Sequence, residues 1–183
     1  NIEIYLTNKR IESYQGVKLE KSKIDSLKIV ALHNSFGKNI RFDTLQSEII
    51  FAGAFTAKKQ DLRKKPFIKS NQIKVFNKSN GDLVLDSIAE KNINELNHDS
   101  FGNQFVLTID KKPKIFGYFY PISISNWNHC STYHYIFPKG KTNKYTLYKG
   151  LELKSVDIKK EFPDMFKLLS ENKKLFTTTY NSN

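Results

Sequence analysis

Cysteine is almost missing from this chain. Cys130 is the only one in 183 residues, so no intrachain disulfide can form and no cysteine-based zinc set can be assembled. Long hydrophobic runs are missing too: none approaches the ~18 residues a membrane helix needs, and no charged-then-apolar leader opens the sequence. The chain starts abruptly with Ile2, Ile4 and Leu6 alternating, as expected of a mature form trimmed of its leader and linker. Acidic charge is scarce, with 18 Asp and Glu against 30 Lys and Arg, which leaves a net +12. That excess attracts nucleic acid, anionic lipid headgroups or an acidic protein, although scattered lysines also serve plain solubility. Catalytic signatures are missing as well. No GxSxG elbow, GxGxxG or GxxxxGK phosphate loop, or HExxH helix occurs, and no repeat of roughly 20–50 residues is visible.

What the chain does have is a globular composition, 39% hydrophobic and 13% aromatic. A single chain near this size buries roughly 70% of its unfolded surface, enough for a core without staples. The best-specified stretch is Asp82 to Tyr120. Leu83, Val84 and Leu85 read as a short strand, and Asp86 stands where a carboxylate caps a helix. Ala89, Ile93 and Leu96 follow at helical spacing. Phe105, Leu107 and Ile109 then alternate with polar or outward positions, and Asp110 to Pro113 forms the tip of a hairpin that returns from Ile115 to Tyr120. Asn80-Gly81 predicts a tight turn between strands at Gln72–Phe76 and Leu83–Leu85.

Further strands are expected at Asn1–Thr7, through Ile49 to Ala52, at Tyr133–Phe137 and at Tyr145–Leu153, with a helical turn within Thr56–Lys65. Ser22 to Phe36 fits either a helix or a buried strand. An amphipathic helix carrying Met165, Leu168 and Leu169 is expected over Asp164–Leu175, and the end, 177–183, reads as a polar tail. Hairpins with few helices and no regular βαβ alternation give an α+β class. The expected architecture is a largely antiparallel sheet with two or three helices packed on one face, as a single domain over 1–176.

Three groups of side chains are candidates for chemistry. His129, Cys130 and His134 are close in sequence, but three ligands without a neighbouring carboxylate do not make a metal site, and adjacent residues of a strand point to opposite faces. Neither a metal nor another cofactor is expected, and no catalytic residue is assigned. The second group is the basic cluster Lys58, Lys59, Arg63, Lys64, Lys65 and Lys69, interrupted by Asp61. It lacks interleaved rings, which argues against a stacking platform for single strands and so against nucleic acid. The third is aromatic. Tyr118, Tyr120, Trp127, Tyr133 and Tyr135 accumulate beyond the hairpin; some must enter the core, and the rest would form a patch for a protein or peptide partner.

Leu85-Asp86, Ala89, Leu96, Gly102 and the strand Phe105 to Asp110, followed by a turn and Ile115, together resemble the head subdomain in the first periplasmic domain of SecD/SecDF protein-export subunits. The likeness extends weakly upstream through Asp61-Leu62 and Pro66-Phe67-Ile68 to Ile73, covering about 61–121. This chain departs from the pattern at Ile88 and Lys111, where that family tends to have glycine, and at Phe116-Gly117, where it tends to have Ala-Pro. The opening IEIYLTNKRIESYQGV is similar to small secreted or lipid-anchored proteins of Bacteroidetes-type bacteria that carry such a module alone. The resemblance implies the fold and an extracytoplasmic compartment, the periplasm or the outer surface; together with the absence of catalytic motifs and the aromatic group at Tyr118 to Tyr135, the expected role is a non-catalytic binding module that contacts a protein or peptide. It would touch a membrane only through an N-terminal lipid anchor outside this chain. The alternative from charge is an immunity-type or nucleic-acid-binding protein acting on an acidic partner.

Overall fold

The alternation at the start of the chain makes an edge strand. In β1 (Ile2–Leu6), Ile2, Ile4 and Leu6 are buried while Glu3 and Tyr5 between them are half-buried. The computed structural model describes residues 1–11, 17–18, 41–43, 48–50, 54–97, 102–119, 134–138, 144–149 and 154–176. After β1 come β2 (Val17–Lys18), β3 (Arg41–Asp43) and β4 (Glu48–Ile50), which pair antiparallel as a small sheet in the order β2-β4-β3. The Ser22–Phe36 stretch lies outside the described residues.

The main sheet is built from the remaining strands. β5 (Ile73–Asn77) and β6 (Asp82–Leu85) form a hairpin around Asn80-Gly81. Gly81 has φ +69°, and a Cβ there would lie 2.5 Å from the Leu147 carbonyl oxygen, so only glycine fits both the turn and the neighbouring strand. Helix α1 (Ser87–Asn94) starts immediately afterwards because Asp86 accepts the Ala89 amide at 2.8 Å. Asp86→Ala is expected to lower stability by ~1 kcal/mol, measured as a shift of the urea midpoint.

The hairpin of β7 (Asn103–Ile109) and β8 (Lys112–Phe119) follows, then β9 (His134–Pro138), β10 (Lys144–Lys149) and β11 (Lys154–Ser155). The chain ends through α2 (Ile158–Glu161), α3 (Pro163–Glu171) and β12 (Leu175–Phe176). Among the described residues the main sheet runs β1-β7-β8-β9-β10-β6-β5-β12, with β11 added on β10. Pairing is antiparallel except at β8–β9 and β5–β12. This is the α+β class that the hairpin-rich sequence implies.

Register puts the apolar positions of all these strands on one face. Ile4 pairs with Leu107, Leu107 with Ile115, and Leu83 with Tyr145 and Phe76, so their side chains share a side. Ala89 and Ile93 of α1, Ile158 of α2 and Met165 and Leu169 of α3 join them in one buried cluster, so the three helices cover that face. Burying side chains such as these contributes roughly 1.5–3 kcal/mol each before entropy is counted.

Two local expectations need correction. The helix expected over Asp164–Leu175 stops at Glu171. Asn172 Nδ2 bonds the Leu168 carbonyl at 2.7 Å, Lys173 turns left-handed at φ +54°, and Leu175 is freed to pair in parallel with Phe76 of β5. The strand expected over Tyr145–Leu153 breaks after Lys149, and Lys154 returns to pair antiparallel with it, so one long apolar-polar pattern became two short strands.

Candidate functional site

The second face of the sheet shows how little of the aromatic group is free. Tyr118 points to this side, between Gln104 of β7 and Tyr135 of β9 in register. The described segment from Ala54 to Ala57 lies over it: the Phe55 ring meets Tyr118 edge-on at 5.4 Å, and the Arg10 guanidinium sits 5.5 Å from the Tyr118 ring centre. Gln104 holds the covering chain with two bonds to the Ile11 backbone, at 2.7 and 2.8 Å. Tyr118 is therefore 0% exposed. As a contact residue it is a correction: it is buried on the second face, under Phe55 and Arg10. Tyr120, Trp127 and Tyr133 lie outside the described residues, and of Tyr135 only the backbone in β9 is described.

The histidine and cysteine group is likewise divided. His129 and Cys130 lie outside the described residues. His134 opens β9 on the helix-covered face, with its ring 5.6 Å from that of Phe162 and its Nε2 buried without a partner. Burial lowers its pKa to about 4, against the opposing pull of Glu161; Lys149 lowers it further, and a bond to the Phe116 backbone raises it. Glu161 is itself paired with Lys149 at 2.7 Å. Among the described residues no three His, Cys, Asp or Glu side chains converge as a metal site would require.

The basic cluster is where the fold assembles something. Lys58 to Lys69 runs antiparallel beside the outer edge of β1 as a strap. It is pinned at two points. Toward its start, Asn8 donates its amide to the Asp61 carbonyl at 2.8 Å and its Nδ2 to the Leu62 carbonyl at 2.8 Å, while the Arg63 amide reaches the Leu6 carbonyl at 3.0 Å. Toward its end, the Ile4 amide donates to Ile68 at 2.9 Å, and the amides of Phe67 and Ile68 both donate to the Ile4 carbonyl. Leu62 and Ile68 are the buried anchors.

Between the pins the strap cannot follow β1. The register moves from Leu62 opposite Thr7 to Ile68 opposite Ile4, six steps of the strap against three of β1, so the chain bulges around Pro66, which has no amide to pair, and Arg63, Lys64 and Lys65 are exposed. A 3₁₀ turn at Lys59–Asp61 precedes the first pin, stabilised by Asp61 Oδ2 accepting the Lys58 amide at 2.7 Å. That bond keeps the one acid of the segment turned back on its own backbone.

The result is a cleft of about 590 Å³ lined by Lys59, Gln60, Leu62, Arg63 and Lys64 from the strap, Lys111 from the β7–β8 tip, Tyr5 of β1 and Asn8 just after it. Among the described residues no acidic side chain lines it, and none of its four cations makes an ion pair. Tyr5 offers its ring, since its hydroxyl donates to Glu3 at 2.9 Å. Burial first, then the Glu3 bond and charge, raise the Tyr5 pKa and keep it a neutral phenol. The Asn8 amide nitrogen is spent on the Gln60 and Leu62 carbonyls, so what the cleft offers an anion is ammonium and guanidinium charge together with the Gln60 amide.

Arg63 also borders two neighbouring hollows. One, of about 160 Å³, adds Lys9, Arg10 and Gln104, and the other, of about 710 Å³, adds Lys65, Phe67 and Glu95. Of the six basic residues singled out in the sequence, Lys59, Arg63 and Lys64 meet in the cleft, Lys65 lies round the corner, and Lys58 and Lys69 line none of the three spaces. Sequence reasoning missed Tyr5, Asn8 and Lys111, which are distant along the chain. The only signal was Lys111 itself, a lysine in a turn position that favours glycine. No family model matches this chain, and no curated protein or solved structure is significantly similar to it.

Proposed function

We propose that this chain is a non-catalytic, extracytoplasmic binding module that takes an acidic segment of a protein partner in the cleft beside β1. The observation that carries the reading is the set of four cations, Lys59, Arg63, Lys64 and Lys111, lining one cleft with no carboxylate among its described lining residues. Like charges gathered without a counter-charge repel one another, and an acidic ligand relieves that repulsion while supplying attraction of its own. A protein segment suits the cleft better than a nucleic acid. Single-strand sites stack successive bases on several rings, whereas among the described residues Tyr5 is the one aromatic side chain here and it is half-buried. The extracytoplasmic setting is what the SecD-head resemblance of 61–121 implies, and that resemblance stands on its quoted residues alone.

The test is a titration of a fluorescein-labelled octaglutamate peptide followed by anisotropy, with a charge-matched single-stranded oligonucleotide in parallel. Wild-type protein is expected to bind the peptide, more weakly as salt rises through the screening range. Changing Lys59, Arg63 and Lys64 together to glutamine is expected to weaken binding roughly 10- to 100-fold, since three exposed charges contribute up to ~1 kcal/mol each. Unchanged affinity in that variant would refute the site. Preference for the oligonucleotide would replace the partner class with nucleic acid. If instead the variant binds normally but self-associates, the lysines serve only to guard the β1 edge.

A further inference from the structure

The β7–β8 turn carries a conformation its sequence does not favour. Ile109 pairs with Lys112, leaving Asp110 and Lys111 as the two central residues, with φ +46° and +64°. Two-residue hairpin turns with both central residues at positive φ favour Asn or Asp first and glycine second, because a Cβ in the left-handed region crowds the following carbonyl. Asp110 meets the first preference. Lys111 violates the second. Elsewhere among the described non-glycine residues only Lys173, which ends α3, has positive φ.

Nothing in the hairpin rewards the lysine. Its side chain is exposed, makes no ion pair among the described residues, and lines the cationic cleft opposite the strap. Glycine would satisfy the turn and leave that wall without a cation. We propose that Lys111 is a partner-binding residue, and that the hairpin tip is the second jaw of the cleft, closing on an acidic protein segment from the side opposite Lys59, Arg63 and Lys64. This rests on the reading of the cleft as a site for an acidic segment. It adds that recognition comes from two walls separated by about fifty positions in sequence, so the ligand carries several carboxylates spread along an extended segment. An extended peptide advances ~3.3 Å per residue, so alternate carboxylates fall ~7 Å apart, a spacing that lets different charges face different walls.

Three variants of the full chain test this against octaglutamate. Lys111→Gly is expected to raise Tm by about 2–4 °C, the shift that removal of one left-handed side chain gives in a chain of this size, and to weaken octaglutamate binding about 3-fold or more. Lys111→Gln keeps the strained backbone and loses the charge, so it is expected to weaken binding equally with Tm unchanged. Lys111→Arg is expected to retain wild-type affinity. If K111G and K111Q bind octaglutamate as wild type does while the strap triple variant does not, the tip is no jaw and the cleft reading survives. If wild-type protein fails to bind octaglutamate, the cleft reading falls and this inference falls with it.

Discussion

Gly117→Ala is expected to destabilise the protein by ~3 kcal/mol, the upper range for forcing atoms into a packed core, and so to lower Tm by about 6–12 °C. A Cβ on Gly117 would stand 2.4 Å from the His134 carbonyl oxygen and 2.7 Å from two atoms of the Phe105 ring. Neither neighbour can yield cheaply. The His134 carbonyl belongs to β9, which is held in parallel register against β8 through Gly117, Tyr118 and Phe119. The Phe105 ring is fully buried and packs against Phe119 at 5.0 Å. Gly117 therefore sets how closely the hairpin approaches β9, and the added methyl must push apart either two strands or two rings. Thermal unfolding by circular dichroism measures the effect. A drop of less than about 2 °C would mean that β9 does not sit against β8 as described.

Acid should weaken the fold before the carboxylates alone would, because of His134. Its folded-state pKa, lowered to about 4, lies below the ordinary value of 6.5, so the folded state holds the neutral ring. The unfolded chain gains a proton as pH falls through about 6.5 and the folded protein does not, so stability present at pH 7 and above is lost between about 6.5 and 4. A shift of this size corresponds to about 3 kcal/mol over the whole range, of which about 2 kcal/mol is lost by pH 5. The cause is local: the ring is packed beside Phe162, and its Nε2 is shut away from solvent. Glu161 could stabilise the protonated ring, but Lys149 already holds its carboxylate. Urea midpoints at pH 7.5 and pH 5 compare the two states. In wild-type protein the midpoint should fall between these values, and in His134→Phe most of that fall should vanish. An equal fall in both proteins would place the acid sensitivity elsewhere.

These two residues also mark the limit of reading the chain by eye. The stretch from Asp82 to Phe119 was legible because its signals are local. Asp86 caps a helix three residues away, Asn80-Gly81 dictates a turn, and the alternation through Phe105, Leu107 and Ile109 assigns each side chain to a face once a sheet exists. The α+β class followed from the same signals. Locality failed at the chain's end, where helical spacing ran on to Leu175 although Lys173 had already turned the backbone back toward β5.

The sequence by itself determined a basic chain, an antiparallel hairpin core with a capped helix, and a cluster of lysines around Arg63. It could not say that Tyr118 would be covered on its outward face, since that depends on Phe55 and Arg10 crossing from distant positions. Nor could it turn the lysine cluster into a cleft. That took the bulge around Pro66 between two pins on β1, and a hairpin tip that carries Lys111 to the opposite wall. Hydrogen bonding along one edge and strand register are long-range facts. Charge, turn preference and periodicity are written residue by residue, whereas which charges share a space is decided only when the strands pair.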